Sequence, residues 1–216
     1  MNEEVTNAKL TIAELVDDLE PVRPVSATGG LAFAAAITLA ALAAVIMNKG
    51  MRADLLAGHP SEMFLLRAGI LLLLGLATAY SVLAMASPAV GKHGQSWKIA
   101  LSAAALFPLA AIIVAMTANV GPAITAMQSG MQCMTMSLIG GVATAIPMVL
   151  WLRKGAPTNP ERAGWLTGVA SGGLGAFAYS FHCPFESIVY IGLWYTLAVG
   201  ACAVLGRLVV PRLIRW

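Results

Sequence analysis

Six apolar runs, at 29–47, 68–87, 99–116, 133–152, 165–180 and 188–205, dictate the solvent in which this chain folds. A hydrocarbon core is crossed by roughly 17 to 25 apolar residues in helical form. Lipid offers no hydrogen bonds to a bare backbone, so such runs must close their own as helices. Composition agrees: 59% of residues are apolar, 11% are charged, and the mean hydropathy is +0.81, outside the range of soluble domains. The expected fold class is an all-α membrane protein, a six-transmembrane-helix bundle over residues 29–216. The fifth run is the shortest and is rich in glycine.

Lysine and arginine set the orientation, because cytoplasmic loops retain positive charge during insertion. With the N-terminus inside, the inner segments hold Lys9, Arg23, Lys92, Lys98, Arg153, Lys154, Arg162, Arg207, Arg212 and Arg215, ten of the thirteen basic residues. The outer loops hold Lys49, Arg52 and Arg67. Both termini are therefore expected in the cytoplasm. The acidic first twenty residues do not read as a cleavable secretory signal. The net charge of +3 follows from the loop bias, so no direct nucleic-acid binding is inferred.

Topology then sorts the reactive side chains. The loop "FHCPFES", 181–187, lies outside, as do His59 and the entrance to the fourth span, "MQSGMQCMTMS", with Cys133. His93 is inside, and Cys202 lies within the sixth span, where a lone cysteine packs as a small apolar residue. Cys133 and Cys183 thus share one compartment at similar depth, within disulfide or shared-metal reach. In a bacterium that compartment is the oxidising periplasm. Two readings of the pair stand open here: a permanent staple, or a chemical sensor. The neighbouring Met127, Met131, Met134 and Met136, together with His182, form a soft donor set, so the candidate metal ligands are Cys133, Cys183 and His182.

The membrane interior carries no Asp or Glu, and Arg67 and Arg207 stand at span edges where they are expected to snorkel to the interface. An ion-coupled transporter needs a buried ionisable relay, which argues against transport. The fifth run repeats Gly164, Gly168, Gly172, Ala176 and Ser180 at every fourth position, a ridge suited to close helix approach.

Ahead of the first span, 1–28 forms a separate head. Ile12, Leu15, Val16 and Leu19 recur at helical spacing, Thr11 and Glu14 stand in capping-box relation, and Pro21 ends the pattern. This describes a short cytoplasmic N-terminal amphipathic helix. Six of the ten acidic residues fall in the first twenty positions, which disfavours adhesion to an anionic leaflet. A helix so short is marginal alone. It folds either on the bundle's own loops or, the reading favoured, into a groove of a cytoplasmic protein with a basic surface.

The segment "DDLEPVRPV" before a six-helix domain, the cysteine at the mouth of the fourth helix, and "HCPFES" followed by "LWYTL" at the sixth resemble the NrsF-type membrane anti-sigma factors. The resemblance spans essentially the whole chain. It implies a multi-pass protein of the bacterial inner membrane that holds an extracytoplasmic-function sigma factor and releases it under oxidative or heavy-metal stress. It matches Leu19, Pro21, Val22 and Arg23 to the sigma-contacting head, and Cys133 and Cys183 to paired exterior cysteines. One departure is that the acid following the Cys-Pro pair comes one position late: Phe185 precedes Glu186. No cofactor is implied, a thiophilic metal entering only as inducer. The chain is not expected to be an enzyme, having no CxxC, metalloprotease or phosphate-binding motif. The rival reading, a periplasm-facing thiol-disulfide oxidoreductase, accounts for the cysteines but leaves the head unused.

Reporter fusions at Trp216 and near Lys92 are expected to read cytoplasmic, and one near Ser129 exterior. A periplasmic signal at Trp216 would show that a span has been miscounted.

Overall fold

A computed structural model describes residues 27–86, 127–155 and 157–214, together with a few residues between 98 and 116. The head, with Ile12, Leu15, Val16, Leu19, Pro21, Val22 and Arg23, lies outside the described residues. Six helices are delimited: α1 (Ala27–Lys49), α2 (Ala53–Leu56), α3 (Glu62–Ala84), α4 (Met127–Lys154), α5 (Pro160–Ser180) and α6 (Ile188–Leu213). The described part of the third expected span, 99–116, is helical as well. The described residues form an all-helical molecule, and α1, α3, α4 and α6 have the length and apolarity to cross a membrane.

The boundaries differ from the hydropathy pattern in an instructive way. Helix α3 begins six residues before its apolar run, at the Ser61 N-cap whose hydroxyl accepts from the Phe64 N–H. Helix α4 also begins early, at Met127, taking in Gln128, Ser129 and Gln132, which lower hydropathy without breaking a helix. Cys133 therefore lies in the second turn of α4 rather than at its first residue. At the other end of the chain α6 continues past Arg207 to Leu213.

Helix α5, the weakest run by hydropathy, is the centre of the bundle. Sixteen of its 21 residues are buried, and it packs on α1, α3, α4 and α6. A helix buried all round needs small residues on every side rather than one greasy stripe. Toward α6, the expected Gly164–Gly168–Gly172 ridge meets backbone: a Cβ at Gly172 would stand 3.0 Å from the Cα of Val199, and one at Gly168 would collide with the Cys202 carbonyl. Toward α4, a Cβ at Gly140 would sit 3.2 Å from the Cα of Gly175. Toward α3, Gly173 lies against Gly75. Polar side chains here close locally: the Thr144 hydroxyl meets the Gly141 and Ser171 carbonyls at 3.0 and 3.2 Å, linking α4 to α5. This packing fixes both ends of α5, and loop 181–187 follows its C-terminal end.

Gly168→Val is expected to destabilise the bundle by about 1–3 kcal/mol or more, because the obstruction is backbone that cannot rotate away. Gly200→Ala, where nothing lies within 4 Å of a new Cβ, should be close to neutral. Thermal unfolding in detergent compares them, and equal stability would contradict the close approach of α5 and α6.

Candidate functional site

A helix ends with carbonyls that find no partner within it, and at the end of α5 these would be buried. The partners come from arginines. Arg67, in the second turn of α3, is 1% exposed and donates to the carbonyls of Ser180 (3.1 Å), Cys183 (3.2 Å) and Phe185 (2.9 Å). The expectation that Arg67 snorkels to the interface is overturned. Its cation is drawn inward because the end of α5 and the following loop present a cluster of acceptors that lipid cannot satisfy.

Arg52 completes the brace from the loop between α1 and α3. It donates to the Cys183 carbonyl at 2.7 Å, so that one oxygen receives two buried guanidinium groups. Its other donors grip Asp54 through both carboxylate oxygens, at 2.8 and 2.9 Å, and Glu186 at 2.8 Å. The backbone N–H of Arg52 reaches the Phe181 carbonyl at 3.1 Å. Glu186, the acid displaced by one position, thus has a structural partner of its own. The Arg52 guanidinium, joined by the Ser61 N–H, holds the Asp54 carboxyl well below the usual carboxylate range. The Ser61 hydroxyl and then Arg52 lower the Glu186 carboxyl.

Beneath this braced loop, Cys133 and Cys183 meet. They are 1% and 2% exposed, both are free thiols, and they stand in hydrogen-bond contact. Tyr179, Tyr190, Trp194 and Tyr195 pack around them. Phe185 stacks on Tyr190 at 4.4 Å and closes the lid, while Gly130 makes room on α4 for the Trp194 indole. The Tyr195 hydroxyl adjoins the sulfurs and has no oxygen or nitrogen partner. The Cys183 thiol is lowered, first by the Cys133 thiol beside it and then by the Arg67 guanidinium, against the opposing effect of burial.

The other candidate residues divide. His182 turns its Nδ1 to the Gly50 carbonyl at 3.1 Å and sets its ring edge-on to Tyr179. Among the described residues, no group of three or more His, Cys, Asp or Glu side chains is arranged to hold a metal ion. Met134 and Met136 pack against the thiol cluster, whereas Met127 and Met131 are exposed. Cys202 is remote from the pair and fills the space left by Gly141 and Gly172. Sequence reasoning missed Arg52, Arg67 and Tyr195. The available signal was an arginine followed at once by a long apolar run, since ionisable groups at membrane depth usually have a specific partner.

The model of the NrsF family, described as negative regulator of sigma F, matches residues 15–216. The chain belongs to the NrsF family. Its similarity to the anti-sigma-F factor NrsF of Caulobacter vibrioides is 31% identity over 200 residues, 91% of this chain and 90% of that protein. A probable anti-sigma-F factor NrsF of Azospira oryzae is 38% identical over 61 residues, 28% of this chain and 29% of that one. No solved structure matches the chain. For this NrsF-family chain, the match covers both cysteines and all the bracing residues.

Removing Arg52 should loosen the lid without touching either thiol. Arg52→Ala is expected to raise the rate of maleimide labelling of Cys183 at least several-fold, read by gel shift. Because Asp54 and Glu186 both titrate lower in the folded chain than when free, their contribution persists above the ordinary carboxylate range and is lost only as pH falls through the depressed folded values. Lid opening in the wild type should therefore be flat from neutral to mildly acidic pH. A lid opening, corrected for the thiolate fraction, that already rose between neutral and mildly acidic pH, above the usual carboxylate range, would contradict the ion-pair geometry.

Proposed function

We propose that this chain is a six-span membrane anti-sigma factor that sequesters an extracytoplasmic-function sigma factor at the bacterial inner membrane and releases it when its exterior cysteines react. Both termini lie in the cytoplasm, and the head, 1–28, is the output. The amphipathic stripe Ile12, Leu15, Val16 and Leu19 lies in a groove of the sigma factor, with Pro21 ending the helix and Val22 and Arg23 anchoring its exit. Cys133 and Cys183 are the input, responding to oxidants or thiophilic metals.

The observation that carries this reading is the meeting of two thiols, fifty positions apart in the chain, under a loop tied by Arg67 to α3 and by Arg52 to the segment between α1 and α3. The family description and the names of the relatives support the regulatory role. A disulfide or a thiophilic ion changes the separation of the two sulfurs. Loop and helix then have to follow, because the Cys183 carbonyl is fixed to α3 by Arg67. Such a signal acts only through a difference in affinity for two states of the bundle.

Sigma-dependent transcription tests the two halves separately. Leu15→Ala and Leu19→Ala should each release sigma activity while the chain still inserts, as truncating a buried leucine typically costs about 2–5 kcal/mol. Replacing Cys133 and Cys183 together by serine should leave sigma bound and the cell unresponsive to thiol-reactive stress, with Cys202→Ser near wild type. Normal induction in the double variant would make the pair structural, and intact repression in both leucine variants would move the contact to the inner loops.

A further inference from the structure

The seam between α4 and α6 is closed at one end and open at the other. Beside loop 181–187 the two helices touch: Gly130 leaves room for the Trp194 indole, and Cys133 packs among Tyr190, Trp194 and Tyr195. Past their midpoints they part, and a groove of about 410 Å³ opens between them with Gly168 and Ser171 of α5 on its floor. Its rims are two apolar ridges at four-residue spacing, Val142, Ile146 and Leu150 on α4 and Leu205, Val209 and Leu213 on α6, all about half exposed.

Length decides what can lie there. From Gly141 to Arg153, both lining residues, α4 rises by about 18 Å at 1.5 Å per residue, against roughly 15 Å for one half of a hydrocarbon core about 30 Å thick. A spanning helix of a second copy would have to cross the whole core, and its way is barred where α4 and α6 meet. One acyl chain keeps to a single leaflet and stops near the midplane, as the groove does.

The far end of the groove is charged. Arg153 lines it from the last turn of α4, is exposed, and pairs with no carboxylate among the described residues. Lys154, Arg162, Arg207 and Arg212 stand at the same end of the bundle, against Glu161 as the one acid there among the described residues, and that acid faces Arg207 at 3.9 Å. The Lys154 ammonium lies over the Trp151 ring and the Arg212 guanidinium donates to the Leu208 carbonyl, so of these cations it is Arg153 that meets the groove. A guanidinium presents paired donors that match a phosphate, and basic pockets between spanning helices select anionic headgroups.

We propose that the groove binds one anionic phospholipid, an acyl chain lying between α4 and α6 on the small face of α5 and the phosphate held by Arg153. The second chain stays in the surrounding bilayer. Recognition here is independent of the sigma-factor reading, because it uses neither the head nor the thiols.

Native mass spectrometry of the full-length chain in detergent, titrated with phosphatidylglycerol and with phosphatidylethanolamine of the same acyl chains, tests this. One phosphatidylglycerol per chain is expected, with phosphatidylethanolamine several-fold weaker because its ammonium offsets the phosphate charge. Arg153→Gln should erase that preference at unchanged thermal stability, since the side chain is exposed. Lys154→Gln removes the same charge from outside the groove and should keep the preference. Ala145→Phe sets a ring into the groove from a lining position and should lose the adduct of both lipids. The proposal is overturned by absence of a saturable adduct, by equal affinity for the two lipids, or by binding unchanged in Arg153→Gln or Ala145→Phe. Equal losses in Arg153→Gln and Lys154→Gln would reduce the attraction to a diffuse surface field, and a dimer in place of the lipid adduct would give the groove to a second copy; either result also overturns it.

Discussion

Two guanidinium groups converge on the carbonyl oxygen of Cys183, and the end of the bundle that carries loop 181–187 is organised by that meeting. Neither arginine is there for its charge alone. The end of α5 and the seven-residue loop after it bring several carbonyls into a region that excludes water, and leaving them bare would cost on the order of 1–3 kcal/mol apiece. Arg67 answers three of them from α3, and Arg52 answers one from the loop above while binding two carboxylates on its other edge. The loop is thus held through its backbone. The thiols below it occupy a fixed and dry position because the roof over them is fixed.

That roof would be useless on a mobile support, and the support is α5. Its neighbours approach so closely that glycine is the residue on three of its faces, at Gly168, Gly173 and Gly175. Close packing of this kind is stiff: a displacement at the outer end has no soft layer in which to dissipate. The contacts of α5 with α1, α3, α4 and α6 make it the element through which any rearrangement near Cys183 reaches the rest of the bundle.

Much of this arrangement was legible beforehand, and the parts that were not share a cause. Hydropathy located the long helices because lipid demands apolar surface, and the four-residue spacing of Gly164, Gly168 and Gly172 announced a close helix contact without naming its partner, which is α6. The shared compartment of Cys133 and Cys183 followed from charge asymmetry alone. That put them within reach of each other, as the structure has them, while the aromatic cluster that buries them depends on how the helices are rotated against one another. Arg67 was misread because a span edge in sequence is not a surface in three dimensions; whether an arginine snorkels or turns inward depends on acceptors more than a hundred residues away. Glu186 stood out in the sequence only as an acid one position late, because its partner, Arg52, lies more than a hundred residues away. The early start of α4 was hidden by Gln128, Ser129 and Gln132, which hydropathy penalises and helix geometry accepts.

The burial of α5 has a consequence for what holds it in the membrane. A segment whose surface is mostly glycine, alanine, serine and threonine gains little from lipid by itself, and it falls short of the hydropathy that marks α1, α3, α4 and α6. Its affinity is for grooves already formed by other helices. Helices α1, α3, α4 and α6 have the apolar length to hold a bilayer on their own, whereas α5 depends on the grooves between them. The least lipophilic element of the bundle is thus the one whose place in the membrane depends most on its neighbours.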